Sequence, residues 1–170
     1  MKIICQMLEK NINSPVTSSC GRLFDGISAI IGIKQNANFE AQAAMELEFA
    51  ADDFNTNDYF TFSIDEEQGS LVFNWHQIVK SIAADIITGV PAGLISAKFH
   101  NSLAESIVQI ANRLNMVKVL LTGGCFMNKY LLERSVKRLI ESGLKPYTQQ
   151  RVPAGDGGIS LGQMKFASYK

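Results

Sequence analysis

The sequence predicts a helix-rich α/β domain, and three observations predict it. Val117–Thr122 is a short apolar run of the kind buried in parallel sheets, and it ends at Gly123-Gly124 before a helical pattern. From there the pattern alternates strand, helix, strand, helix, which is a right-handed crossover unit. Ahead of it, apolar residues recur at helical spacing, interrupted by one short aromatic strand pair.

In order along the chain, Ile3–Leu8 is a short apolar run that passes abruptly into the loop-like Asn11–Ser14, as if the chain began inside a domain. Ser14-Pro15 and Thr17–Ser19 are helix-start signals. Leu23, Phe24, Ile27, Ile30 and Ile31 then recur at helical spacing, and Gly32 ends the run. Asn36–Asn38 reads as a turn. Ala41–Phe54 reads as a second helix with Ala44, Leu47, Ala51 and Phe54 on one face. Tyr59–Ile64 alternates and is aromatic, so it is expected to be a strand, with a turn at Asp65–Ser70 and a partner strand at Leu71–Phe73. Gln77–Ile87 is helical, with Ile78, Ile82 and Ile86 in register. Gly89–Gly93 breaks the chain around Pro91 and marks an expected sub-boundary near 90–93 within a single domain spanning 1–170. Ile95–Leu114 is the longest helix, striped by Phe99, Leu103, Ile107, Ile110 and Leu114. After the strand Val117–Thr122 come a helix over Lys129–Ser142 stopped by Gly143, a short strand over Pro146–Thr148, and a last helix over Gly157–Tyr169.

Composition narrows the function classes. The hydrophobic fraction is 46% and the charged fraction 19%, which describes a globular chain rather than a disordered one. The formal net charge is zero, and no Lys/Arg block supplies the electrostatic footprint of a nucleic-acid surface. Three cysteines, Cys5, Cys20 and Cys125, form no CxxC pair, which argues against a disulfide framework and a self-contained zinc site. No apolar stretch reaches membrane-spanning length, and the apolar run after Met1 is too short for a signal peptide. A cytoplasmic location is the expectation.

Two segments carry the chemistry. In Val117–Asn128, the glycines after the strand can bring bare backbone N–H groups up to a phosphate or ribose, with the Asn128 amide as a further contact. The alternative is a tight strand-to-helix turn with Asn128 capping the helix. In Pro153–Gln163, Asp156 stands between glycines at a helix start, where a carboxylate can face a metal or a nucleotide, or cap the helix. Asp25, near the polar side of an apolar helix, could hold a ribose diol or be a solvated helical Asp. His76 and His100 are too far apart for a local metal-ligand pair and read as structural. Cys125 reads as a small buried thiol, because no His, Asp or Glu stands close in sequence. Glu46, Glu48, Asp52 and Asp53 read as the solvated face of a helix.

Five blocks in this order carry a resemblance. SPVTSSCGRLFDGISAIIG (Ser14–Gly32), FEAQAAMELE (Phe39–Glu48), AKFHNSLAESIV (Ala97–Val108), LLTGGCFMNKYLLE (Leu121–Glu133) and GDGGISLGQ (Gly155–Gln163) resemble the carboxy-terminal part of the HypF carbamoyltransferases, which mature nickel–iron hydrogenases. The same domain type occurs in enzymes that make threonylcarbamoyladenosine on tRNA and in antibiotic O-carbamoyltransferases. The TSSxGRLFD and FHN blocks favour the HypF type.

The resemblance implies an actin-like ATPase fold, related to sugar kinases and Hsp70, of which this chain would be most of the second lobe. It implies that carbamoyl phosphate and ATP yield carbamoyl adenylate, and that the carbamoyl group passes to the C-terminal cysteine of a HypE partner on the way to the cyanide ligand of the hydrogenase iron. It implies that Asp25 contacts the ribose, that Gly123, Gly124 and Asn128 line the nucleotide, and that Asp156 helps hold a divalent metal, iron or zinc, against the phosphates. It assigns no catalytic nucleophile to this chain, since the incoming thiol belongs to the partner. Two positions depart from the family pattern. Ala41 stands where the family has Gly, which would narrow a substrate-pocket wall, and Gly155 stands where it has Asn. The histidine pair that completes the family's metal site is absent, as are the acylphosphatase-like, zinc-finger and YrdC-like portions. The chain is therefore expected to be a fragment carrying one wall of the cleft, with most metal ligands and the first lobe outside it, and inactive alone. The competing readings are a lobe of an O- or N-carbamoyltransferase of the antibiotic or tRNA type, and a non-catalytic scaffold that packs on a partner through an exposed apolar face.

Overall fold

Helices dominate because most apolar residues recur at a spacing of three or four. A computed structural model describes residues 2–169. Among the described residues seven helices form: α1 (Lys2–Glu9), α2 (Cys20–Ile31), α3 (Gln42–Ala51), α4 (His76–Ile87), α5 (Ala92–Arg113), α6 (Lys129–Glu141) and α7 (Ile159–Ala167). The same residues form four strands: β1 (Ser63–Glu67), β2 (Ser70–Asn74), β3 (Lys118–Leu121) and β4 (Lys145–Thr148). Single 3₁₀ turns, Gly124–Met127 and Asp156–Gly158, precede α6 and α7.

The expected caps form at α2. The Ser19 hydroxyl accepts the Arg22 N–H at 3.4 Å, and Gly32 closes the helix in the left-handed conformation with φ 86°. Phe24 and Ile27 of α2 then meet Leu47 of α3, Ile78 and Ile82 of α4, Ile95, Phe99 and Leu103 of α5, and Leu131 of α6 in one core. This core runs unbroken from α4 into α5 across residues 90–93. Gly93 is the closest approach: a Cβ there would run into the Ala50 carbonyl and the Phe54 ring, so only glycine lets α3 and α5 meet. A smaller cluster of Val108, Leu121 and Leu139 ties α5, β3 and α6 together. The Arg138 guanidinium of α6 donates two hydrogen bonds to the Glu105 carboxylate of α5, at 3.0 and 2.8 Å.

β3 and β4 pair in parallel, Lys118 to Lys145 through Leu121 to Thr148, with α6 as the crossover. Only Leu121 of β3 is buried, and Leu120 is 62% exposed. The expectation of a fully buried strand is thus corrected. Two strands cannot cover both faces of a parallel ladder.

The aromatic strand is displaced as well. β1 begins at Ser63, and residues 59–62 lie outside any ladder. Side chains of α5 hold the backbone there instead. Ser102 Oγ accepts the Phe60 N–H at 2.9 Å, and the Asn101 amide donates to the carbonyls of Thr56 and Asp58 at 2.9 and 2.8 Å. The β1–β2 turn is the two residues Gln68 and Gly69, both at positive φ (50° and 79°), the pattern of tight hairpins.

Candidate functional site

The crossover geometry brings the two glycine segments together where β3 and β4 end. In open α/β sheets, ligands bind in the crevice outside the carboxyl ends of the strands. Gly123 follows β3 with φ 102° and ψ 164°, a conformation essentially reserved for glycine. Its N–H donates to the Ala154 carbonyl at 2.9 Å, and its carbonyl accepts the Phe126 N–H at 3.0 Å. That pairing clamps the loop after β3 to the loop after β4. Gly155 sits against Gly124: a Cβ on Gly155 would lie 3.7 Å from the Gly124 Cα and 3.5 Å from Met127. Both are ordinary contacts, so a Cβ at 155 would be accommodated.

Donors and acceptors at this junction divide sharply. The start of α6 is closed by protein groups. Asn128 Oδ1 accepts the Leu131 N–H at 2.7 Å, and Glu48 Oε1 of α3 accepts the N–H groups of Lys129 and Tyr130 at 2.7 and 3.4 Å. Among the described residues, the N–H groups of Gly124 and Cys125 donate to nothing. The free amides are therefore those of the 3₁₀ turn, not those of α6. Glu48 corrects the reading of a solvated carboxylate: it bridges α3 to α6. Glu46 is likewise engaged, with Lys34 at 3.0 Å and the Gln42 amide at 2.8 Å, while Asp52 and Asp53 are exposed as expected.

Asn128 also donates from Nδ2 to His100 Nε2 at 3.0 Å. The His100 Nδ1–H donates to the Ser96 carbonyl at 2.8 Å, which fixes the neutral tautomer. Burial pushes His100 down to about 4, so the ring stays uncharged. His100 is thus structural, as the sequence led one to expect. It orients Asn128, whose side chain is turned to the helix start and the core.

A cavity of about 930 Å³ opens beside the junction. Gly123, Gly124 and Cys125 form one wall, Ser18 to Cys20 at the start of α2 another, and Phe73 and Trp75 at the end of the hairpin a third. Asp25, Ala41, Asn128 and Asp156 do not line it. Asp25 lies on α2 with its side chain 43% exposed, 4.0 Å from Arg22. Ala41 precedes α3 with φ 61° and ψ 7°, in the left-handed region. That backbone conformation suits glycine, the residue the resemblance leads one to expect there.

Asp156 opens the second 3₁₀ turn and is exposed. Its carboxylate accepts no hydrogen bond among the described residues, and α7 starts without a side-chain cap. The capping alternative therefore fails, and the carboxylate is free for a ligand. No group of three or more His, Cys, Asp or Glu among the described residues could hold a metal ion. Asp156 fits a hard cation as one oxygen donor, which needs others beyond it.

Residues that the sequence did not single out complete the site. Thr122 accepts from the Gln149 amide at 2.5 Å, linking the ends of β3 and β4. Cys20 lines the cavity, and Cys125, expected as a buried thiol, is half-buried at the cavity wall rather than sealed in the core. Hydroxyl-rich residues before α2 and a thiol directly after Gly-Gly were the available signals.

Comparisons with known proteins identify the family. Residues 1–163 match the family described as the carbamoyltransferase, Kae1-like domain, second subdomain. Carbamoyltransferase HypF of Synechocystis is 38% identical over 89% of this chain and 19% of its own length. Carbamoyltransferase HypF of Rhodobacter capsulatus is 35% identical over 97% of this chain and 21% of its own. A full-length HypF crystallised in a phosphate- and nucleotide-bound form superposes with a TM-score of 0.89 at 38% identity, over 98% of this chain and 22% of that one. HypF of T. kodakarensis superposes with a TM-score of 0.76 at 25% identity. The chain spans about a fifth of the length of these relatives. No helix among the described residues is long and apolar enough to cross a membrane. The chain belongs to the HypF carbamoyltransferase family, matching the second subdomain of its Kae1-like, actin-like domain.

Proposed function

We propose that this chain supplies one wall of the active cleft of a HypF-type carbamoyltransferase, acting in nickel–iron hydrogenase maturation. The observation that carries the reading is the junction of the two glycine loops, with the free amides of Gly124 and Cys125 beside the cavity and the free Asp156 carboxylate on the neighbouring loop. In this reading ATP and carbamoyl phosphate yield carbamoyl adenylate, which binds at the junction. The apolar walls, Phe73 and Trp75 among them, take the flat base, and the free amides meet a phosphate oxygen. Asp156 supplies one oxygen to a divalent metal, iron or zinc, whose chemistry is to orient the phosphate and offset its charge.

The acceptor is the C-terminal cysteine thiolate of a HypE-type partner. Its sulfur attacks the carbamoyl carbon, the bond from that carbon to the phosphate oxygen breaks, and AMP leaves with the electron pair. Nothing in this step requires a nucleophile from this chain. The ribose role of Asp25 stands on the family resemblance. The rest of the cleft, including the remaining metal ligands, is supplied by the portions of the protein that the relatives have and this chain does not span.

The test is a chimera of the full-length Synechocystis relative with this chain in place of its own segment. With ATP, carbamoyl phosphate and a HypE partner, it is expected to carbamoylate the partner's terminal cysteine, detected by mass. The 170-residue chain alone is expected to give no transfer. A folded chimera that binds the partner yet transfers nothing would overturn the reading, as would turnover by the isolated chain. Asp25→Asn is expected to weaken nucleotide binding by the chimera, and unchanged binding would remove the ribose role.

A further inference from the structure

We propose that His100 is a positioning residue for the nucleotide junction: through Asn128 it holds the 3₁₀ turn that presents the free amides of Gly124 and Cys125. The role rests on the nucleotide reading above, while the hold on the turn is measurable without any nucleotide. Each link in the contact fixes the next. The Ser96 carbonyl can only accept, so the proton sits on His100 Nδ1, 2.8 Å away. Nε2 then carries only a lone pair, and it takes the Asn128 Nδ2 donor at 3.0 Å. That leaves Asn128 Oδ1 for the Leu131 N–H at 2.7 Å. The amide satisfies both partners in one orientation only.

Asn128 joins two elements, since it ends the 3₁₀ turn Gly124–Met127 and caps α6. Its own N–H donates to the Cys125 carbonyl at 3.3 Å, and the Phe126 N–H donates to the Gly123 carbonyl at 3.0 Å. The N–H groups of Gly124 and Cys125 are left as the unpaired start of the turn. The other end of the link is anchored in the core. His100 and Ser96 are buried, and the Ser96 hydroxyl donates to the Leu47 carbonyl of α3. The rings of Phe24 and Tyr130 lie 5.2 and 5.1 Å from the imidazole and hold its plane. His100 does not line the cavity, so it reaches a ligand only through Asn128. What the imidazole adds over an apolar side chain is the acceptor. Without it, Asn128 has an inward donor with no partner, and its amide is free to turn away.

Three substitutions separate the acceptor from the packing. His100→Leu removes the acceptor, His100→Gln keeps an acceptor oxygen in the place of Nε2, and Asn128→Ser keeps a helix cap but is too short to reach His100. Adenine nucleotide binding is measured by calorimetry on the full-length chimera, and the Gly124 and Cys125 amide resonances are followed by NMR on the 170-residue chain. His100→Leu is expected to weaken binding roughly five- to tenfold and to shift both resonances. His100→Gln is expected to restore most of the affinity and both resonances, whatever either substitution does to Tm. Asn128→Ser is expected to match His100→Leu, and the two losses are expected not to add in the double variant. Equal losses in His100→Leu and His100→Gln would overturn the proposal, because the ring would then act by packing alone. So would fully additive losses, or wild-type affinity in Asn128→Ser. If the wild-type chimera binds no nucleotide, the functional reading fails by itself. The resonances then decide the positioning: movement in His100→Leu with return in His100→Gln sustains it, and unmoved resonances overturn it.

Discussion

Replacing Ala41 by glycine should stabilise the chain, although glycine is the poorer residue beside a helix. Ala41 holds φ 61° and ψ 7° immediately before α3 and makes no side-chain capping bond. Its methyl group is exposed, so its removal leaves no cavity. A left-handed conformation costs an L-residue about 1–2 kcal/mol, and glycine is free of that cost. Glycine brings its own penalty of roughly 0.5–1 kcal/mol, because it gives the unfolded chain more freedom. The difference favours Ala41→Gly by about 0.5–1 kcal/mol, or a rise in Tm of roughly 1–4 °C for a chain of this size. Thermal unfolding followed by circular dichroism, with urea midpoints as a second measure, reads this directly. Ala41→Val is the control and should lower Tm, since a β-branched residue fits left-handed backbone worst. A fall in Tm for Ala41→Gly would refute the conformational explanation. Unchanged stability with tighter nucleotide binding in the full-length chimera would return Ala41 to the pocket wall.

Three further outcomes are expected. Gly93→Ala gains helix propensity of about 1 kcal/mol but forces a methyl group into the Ala50 carbonyl and the Phe54 ring, so it should destabilise by about 2 kcal/mol net, read from urea midpoints. Glu48→Ala removes the acceptor for two N–H groups at the start of α6 and should cost about 1 kcal/mol, while Glu48→Gln keeps an acceptor oxygen and should cost less. His100 is held neutral well below the ordinary histidine range, so its contribution is complete above about pH 6.5 and falls away as pH drops towards 4. The unfolded chain binds the extra proton in that window, and stability should fall by about 3 kcal/mol across it. His100→Gln should flatten that slope, and a slope unchanged by the substitution would place the titrating group elsewhere.

The helices were legible because their signals are local. Ser19 and Gly32 bracket α2, Gly143 stops α6, and the stripe through Phe99 and Leu103 is the buried face of α5. The β1 strand was misplaced because its signal is shared. The aromatic alternation at 59–62 is genuine, but Ser102, some forty residues later, takes the Phe60 N–H, and Asn101 takes the carbonyls of Thr56 and Asp58 just before it. Glu48 is a polar residue on a helix in sequence, and only the placement of α6 above α3 turns it into a cap. The candidate site was half legible for the same reason. The two glycine segments announce themselves, whereas the clamp from Gly123 to Ala154 is a long-range fact of the fold.

Metal-dependent nucleotide binding at Asp156 is the central claim, and calorimetry tests it most directly. Adenine nucleotide is titrated into the full-length chimera with and without divalent metal, carrying Asp156 or Asp156→Ala. The account predicts binding that strengthens with metal, and a loss of that strengthening in Asp156→Ala while Tm stays unchanged, because the carboxylate holds nothing in the fold. Equal metal-dependent binding with alanine at 156 would contradict it, and would remove Asp156 from the site.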